Sequence, residues 1–155
     1  IACRAMAKLR VSTTIDAPVG EVWTDLSDLS SHVEWMRDAV ALRFTSDHES
    51  GVGTTFDCDT KVGPFRLTDQ MQITQWVPER AIGVRHVGLV TGEGTIRLRG
   101  RRRGRTKVTW SETLKFPWWM GGPIGSVAAT PVLWLVWRGS MRNLAERFQP
   151  SPPPS

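Results

Sequence analysis

Between Lys115 and Arg138 the chain carries no charged and no amide side chain, reading FPWWMGGPIGSVAATPVLWLVW. No other feature narrows the fold as much, because an apolar run of this length either spans a membrane or is buried in a protein core. Pro117, Pro123 and Pro131, with Gly121, Gly122 and Gly125, interrupt the run so often that one unbroken spanning helix is not expected. The pairs Trp118/Trp119 and Trp134/Trp137 resemble interfacial aromatic belts. Yet even a perfect helix from Trp119 to Trp134 covers only about 22 Å, short of a hydrocarbon core of ~30 Å. The expectation is instead a final helix with Thr130 as N-cap and Pro131 in its first position, with or without an earlier segment from Pro123 that kinks there. Leu133, Trp137, Met141, Leu144 and Phe148 then share one face, while Arg138, Arg142, Asn143, Glu146 and Arg147 take other directions.

An amphipathic helix of this kind needs an apolar surface to cover, and the middle of the chain supplies one. LRVSTTID, Leu9 to Asp16, alternates like a strand; APVGEVWTDLSDL follows with Pro18 at a helix start and Val19, Val22, Trp23 and Leu26 at helical spacing. A second short helix is expected in SHVEWM, where Ser31 and Glu34 have capping-box spacing. From Ala39 to about Phe116, six strands are separated by GVG at 51–53, VGP at 62–64, VPER at 77–80, TGEG at 91–94 and GRRRGR at 100–105. Short connections make this an antiparallel meander. In its second strand Phe56, Cys58, Thr60 and Val62 share one face, and Asp57, Asp59 and Lys61 take the other.

Composition and cysteine usage set the class. A chain that is 40 % hydrophobic and 23 % charged reads as globular rather than disordered or membrane-integral. Cys3 and Cys58 form no metal spacing, redox pair or disulfide framework, so the simplest setting is a reducing cytoplasm. Residues 1–8 are expected to form a flexible arm without the apolar core of a secretion signal, residues 9–148 one domain, and residues 149–155, rich in Pro and Ser, a disordered tail.

The order of elements, strand, two short helices, six strands and a long C-terminal helix, resembles the START-like or SRPBCC superfamily (the birch-pollen-allergen fold), and within it the bacterial polyketide cyclase/dehydrase and lipid-transport branch. Two stretches carry the resemblance: IDAPVGEVWTDLSDLSSHVEW, matching the opening strand, Ala-Pro helix start and helix-pair Trp, and ITQWVPERAI, matching the strand-to-strand Pro turn. The resemblance implies an α+β helix-grip fold, a seven-stranded antiparallel sheet wrapped round the C-terminal helix. It also implies a deep apolar cavity between sheet and helix for a lipid, a polyketide or an aromatic compound. It brings no cofactor and no universal catalytic motif.

Candidate residues therefore come from strand parity. Leu67, Met71 and Ile73 bring Asp69 to the apolar face; Ile82 and Val84 bring His86; Val108, Trp110 and Leu114 bring Glu112. A carboxylate or imidazole facing an apolar cavity is a candidate to polarise a carbonyl or move a proton in cyclisation or dehydration, so Asp69, His86 and Glu112 are the catalytic candidates. The same parity, with the helix face, nominates Trp35, Phe56, Cys58, Leu67, Met71, Val84, His86, Ile96, Trp110, Leu133, Trp137 and Met141 as ligand-binding. Plain core packing is the competing reading for each Trp and Met. No metal site is expected, since His32 and His48 lack ligand spacing.

The net charge of +5 concentrates in RLRGRRRGR, Arg97 to Arg105. Gly100 and Gly104 place its centre at a hairpin turn, and no aromatic interleaves with the arginines to stack bases, so nucleic acid is not an expected partner. Transient contact with an anionic membrane fits the cluster better. Three readings remain: a carrier of an apolar small molecule, a cyclase/dehydrase-type lyase or isomerase, and a membrane-peripheral or partner-binding module using the Trp-rich segment together with the Arg hairpin. Ligand identity, catalysis and oligomeric state stay open.

Overall fold

The computed structural model describes residues 6–154, so Cys3 and most of the expected N-terminal arm lie outside the described residues. Strand β1 (Ala7–Ile15) begins two residues before Leu9 and alternates buried and exposed side chains along most of its length. Pro18 precedes helix α1 (Val19–Ser27), which buries Val22 and Leu26. A 3₁₀ turn (Leu29–Ser31) leads into the single-turn helix α2 (His32–Trp35). The expected capping box does not form. The Ser31 hydroxyl donates to the Asp25 carbonyl, and Asp28 caps the turn by accepting from Ser30 N. Glu34 instead pairs with Arg147, a partner more than a hundred residues away that no local spacing rule includes.

Six further strands follow: β2 (Ala39–Phe44), β3 (Thr55–Val62), β4 (Phe65–Val77), β5 (Ala81–Val87), β6 (Thr91–Arg101) and β7 (Arg105–Lys115). All pair antiparallel in one sheet of order β1-β7-β6-β5-β4-β3-β2, so the chain's first and last strands are neighbours. The ladder closes register locally by hairpins, and a bulge between Ile73 and Gln75 of β4 adds curvature.

Helix α3 runs from Gly122 to Glu146. It starts eight residues before Thr130 and passes through Pro131 without ending, so the earlier segment from Pro123 is part of the helix and Thr130 is not its N-cap. Gly121 supplies the left-handed entry at φ 92°, and Pro123 occupies the first turn, where its missing N–H costs nothing. Beyond it, the hydroxyls of Ser126 and Thr130 donate to the carbonyls of Gly122 and Ser126, so the polar side chains in this turn serve the helix itself rather than a new cap. No described helix is long and apolar enough to cross a membrane.

The C-terminal half of α3 carries the expected apolar face: Trp137, Met141 and Leu144 are buried, with Leu133 and Phe148 packed against them. The helix lies mainly along β1 and touches β7, while α2 approaches β2 at the other edge. Arg147 locks this arrangement by pairing with Asp25 of α1 at 2.6 Å. Because α3 covers one side of the concave sheet, the apolar face of β3, β4 and β5 is left facing space. That is the helix-grip architecture.

Candidate functional site

The space between sheet and helix is a cavity of about 760 Å³. Its walls come from alternate residues of β3 to β7, from Leu29, His32 and Met36 around α2, and from Leu133 and Trp137 of α3. Phe56, Cys58, Leu67, Met71, Val84, His86, Ile96, Trp110, Leu133 and Trp137 all line it. Trp35 and Met141 do not: both are fully buried in the core behind the wall, Trp35 edge-on to Trp110 with ring centroids 6.1 Å apart. Those two of the expected ligand-binding set therefore stand outside the cavity lining. Trp35 lies on a one-turn helix packed under the sheet, and Met141 lies one helical turn beyond the wall residue Trp137.

Asp69, His86 and Glu112 converge on this cavity from three strands. Their residues are 6 %, 5 % and 7 % exposed. In the β4–β5 ladder His86 faces Met71, two residues from Asp69, so Asp69 and His86 are diagonal neighbours. His86 Nδ1 lies 2.8 Å from Asp69 Oδ2, and His86 Nε2 lies 3.6 Å from Glu112 Oε1. The second contact is too long for a hydrogen bond and acts through charge. Burial alone would lower the proton affinity of His86. The Asp69 hydrogen bond and the two neighbouring carboxylates outweigh it and raise the pKa to about 10, so the ring is an imidazolium at neutral pH.

β6 separates β5 from β7, and the carboxylate of Glu112 must cross it to reach His86. Gly94 makes that passage. Gly92 faces His86 and Gly94 faces Glu112 in the ladder. A Cβ on Gly94 would sit 2.6 Å from Glu112 Cγ and 2.8 Å from its Oε1. The TGEG motif, which reads as turn punctuation in the sequence, is therefore the start of β6, and the turn itself falls at Gly88–Val90.

Two indoles complete the polar floor. Trp110 and Trp137 stack with centroids 4.4 Å apart and planes 16° from parallel. Trp110 Nε1 donates to Glu112 Oε1 at 3.0 Å, and Trp137 Nε1 donates to Asp38 Oδ2 at 3.1 Å. Asp38 is a cavity residue that sequence reasoning missed. It precedes β2 in a bend, outside any period-2 or helical pattern, so parity could not assign it a face. Burial raises its pKa, opposed by the Trp137 hydrogen bond and assisted by the charges of Glu112 and Asp69. Burial likewise pushes the Cys58 thiol up to about 12, leaving it an unreactive wall residue. Among the described residues no group of three or more His, Cys, Asp or Glu side chains is arranged to hold a metal ion.

The mouth of the cavity lies where the β3–β4 turn, the β5–β6 turn and the start of α3 meet. Phe65, Leu89, Trp119 and Val132 line it while remaining more than half exposed, and neighbouring Trp118 is 86 % exposed. The Arg hairpin is at the other end of the molecule. β6 runs from the mouth at Thr91 to Arg101, and β7 returns from Arg105 to Lys115 beside the Trp segment. At ~3.3 Å per residue, about 33 Å separates the arginine turn from the mouth. The Trp-rich segment and the Arg hairpin therefore do not form one face, which removes the geometry of a single flat docking surface built from both.

The comparisons with known proteins agree with this architecture. A family model described as polyketide cyclase / dehydrase and lipid transport matches residues 6–149. No curated protein matches the sequence. Among solved structures, a START superfamily protein from Mycobacterium smegmatis superimposes with a TM-score of 0.76 at 8% identity, over 91% of this chain and 96% of that one. Major latex-like protein 151 from Panax ginseng gives 0.72 at 13% identity, over 94% and 99%. The di-domain ARO/CYC StfQ of the steffimycin biosynthetic pathway gives 0.71 at 15% identity; the match covers 94% of this chain and 51% of that protein. At these identities the likeness is one of fold.

Proposed function

The chain belongs to the polyketide cyclase / dehydrase and lipid transport family, and from that membership we propose that it binds or carries an apolar small molecule in the cavity between sheet and α3. The observation that carries the reading is the cavity itself. It is large enough for a multi-ring or chain-like compound, its walls are mainly aliphatic and aromatic, and Asp69, His86 and Glu112 form one polar cluster within it. Exposed apolar residues at the mouth give such a ligand a continuous apolar route inward.

Native mass spectrometry of the purified protein, followed by denaturation and mass analysis of released compounds, tests it. A stoichiometric apolar compound supports the reading. A protein that is empty, and that shows no thermal shift with lipid, polyketide and aromatic panels, counts against it. Leu133→Trp provides the internal control, because an indole projecting from α3 into the cavity should abolish binding while far-ultraviolet circular dichroism stays unchanged.

A second reading, cyclase/dehydrase-type chemistry, is favoured by the convergence of Asp69, His86 and Glu112. As an imidazolium, His86 would act as an acid, polarising or protonating a carbonyl oxygen, and a neighbouring carboxylate would take the proton removed from carbon. Turnover of a linear poly-β-carbonyl compound to a cyclised, dehydrated product, lost in His86→Ala, supports this reading. Equal background conversion by both proteins counts against it.

A further inference from the structure

The polar floor of the cavity has a pronounced imbalance of hydrogen-bonding capacity and of charge. Three carboxyl groups, Asp38, Asp69 and Glu112, face it, against one imidazole. Three of the floor's four N–H groups are already committed: Trp110 Nε1 to Glu112, Trp137 Nε1 to Asp38, and His86 Nδ1 to Asp69. His32, at the α2 wall, is bound to the Leu26 carbonyl through Nε2. What is left over is mostly acceptor capacity. Asp69 Oδ1 is a buried acceptor with no partner, while the one spare donor, the Nε2–H of the His86 imidazolium, is turned to the Glu112 carboxylate at 3.6 Å. Among the described residues that line the cavity, Arg66 is the single Lys or Arg, and it is an exposed residue at the mouth. Nothing cationic other than His86 reaches the floor to receive an anionic head group.

A buried acceptor without a donor is unfavourable, and the unfavourable state ends when a ligand brings the donor. An anionic head group would instead meet an environment with more carboxylates than cations, inside a low-dielectric site where repulsion is weakly screened. Resting on the binding reading above, we propose that the cavity selects apolar molecules whose inner polar group donates hydrogen bonds and carries no negative charge, a hydroxyl, phenol or ammonium, and that it rejects free carboxylates such as fatty acids. The donor group docks on Asp69 Oδ1 and the Glu112 carboxylate, and the apolar body lies along the Leu67, Met71 and Val84 wall. An ammonium gains further from the negative balance of the floor, a neutral hydroxyl only from the open acceptors.

Three probes with one apolar body separate these chemistries: 2-(2-naphthyl)ethylamine, 2-(2-naphthyl)ethanol and 2-naphthylacetate, titrated into the intact protein at pH 7.5 by isothermal calorimetry. The expected result is that amine or alcohol binds at least tenfold more tightly than the acid, that Asp69→Asn narrows this gap, and that Leu133→Trp removes binding of all three. An amine stronger than the alcohol assigns the selection to charge; equal binding of the two assigns it to donor hydrogens. An acid that binds as tightly as the other two, and is displaced by Leu133→Trp, overturns the selectivity while leaving cavity binding intact. Absence of binding by all three, or binding insensitive to Leu133→Trp, overturns both.

Discussion

Asp69→Asn should lower the pKa of His86 by roughly one to two pH units. The imidazolium owes its persistence in a buried site to the 2.8 Å contact with Asp69 and to the charge of Glu112. A hydrogen bond between charged groups contributes about 1.5–3 kcal/mol, and one pH unit corresponds to about 1.4 kcal/mol. His86 should therefore move from about 10 in the native protein to roughly 8–9 in the variant. The sign of the linked stability follows from the direction. A pKa raised above its unfolded value of 6.5 contributes stability that is complete below pH 6.5 and is lost as pH rises through about 10. The ceiling on that contribution, 3.5 pH units at ~1.4 kcal/mol each, is about 5 kcal/mol. In Asp69→Asn the pH-dependent loss should be smaller and centred lower. Imidazole ¹⁵N chemical shifts followed from pH 5 to 11 give the pKa, and urea unfolding at pH 6, 8 and 10 gives the linkage. A native His86 that titrates at or below 6.5, or one that Asp69→Asn leaves in place, would refute the assignment of a carboxylate-held imidazolium.

Gly94→Ala should destabilise by about 1–3 kcal/mol in urea unfolding and disturb the His86 resonances, because the new Cβ overlaps Glu112 Cγ at 2.6 Å. Trp137→Phe keeps an aromatic ring against Trp110 but removes the donor to Asp38; a cost of about 1–2 kcal/mol is expected by the same assay. With Cys3 replaced by Ser, Cys58 should react with a thiol-specific disulfide reagent at pH 8 far more slowly in the native protein than in urea, and equal rates would contradict its buried, protonated state. Replacing Arg101, Arg102 and Arg103 by Ser should leave uptake of an apolar probe unchanged, since that turn lies at the end of β6 remote from the mouth.

Much of the fold was legible because its signals are local. The alternation of β3, in which Phe56 and Cys58 are buried while their neighbours are less so, needs only the two-residue period of a strand. The same period assigns Asp69, His86 and Glu112 to the inner face without reference to any contact between them. A local rule fails where a competing tertiary interaction outweighs it. Thr130-Pro131 has the chemistry of a helix start, yet packing of a continuous α3 against β1 carries the helix through it. Ser31 and Glu34 have capping-box spacing, but Arg147 offers Glu34 a charged partner and Asp25 offers Ser31 an acceptor.

The sequence by itself determined the succession of elements, the faces of the strands and the three ionisable strand residues turned inward, because each depends on periods of two or about four residues along one chain. Only the tertiary structure decided which of those groups meet. That Asp69 lies diagonal to His86 depends on the β4–β5 register, that Glu112 reaches across β6 depends on the absence of a side chain at Gly94, and that Asp38 joins the site depends on where Trp137 of α3 comes to rest. Register between strands and the seating of a helix on a sheet are set by many weak contacts between distant segments, and no short window of the chain contains them.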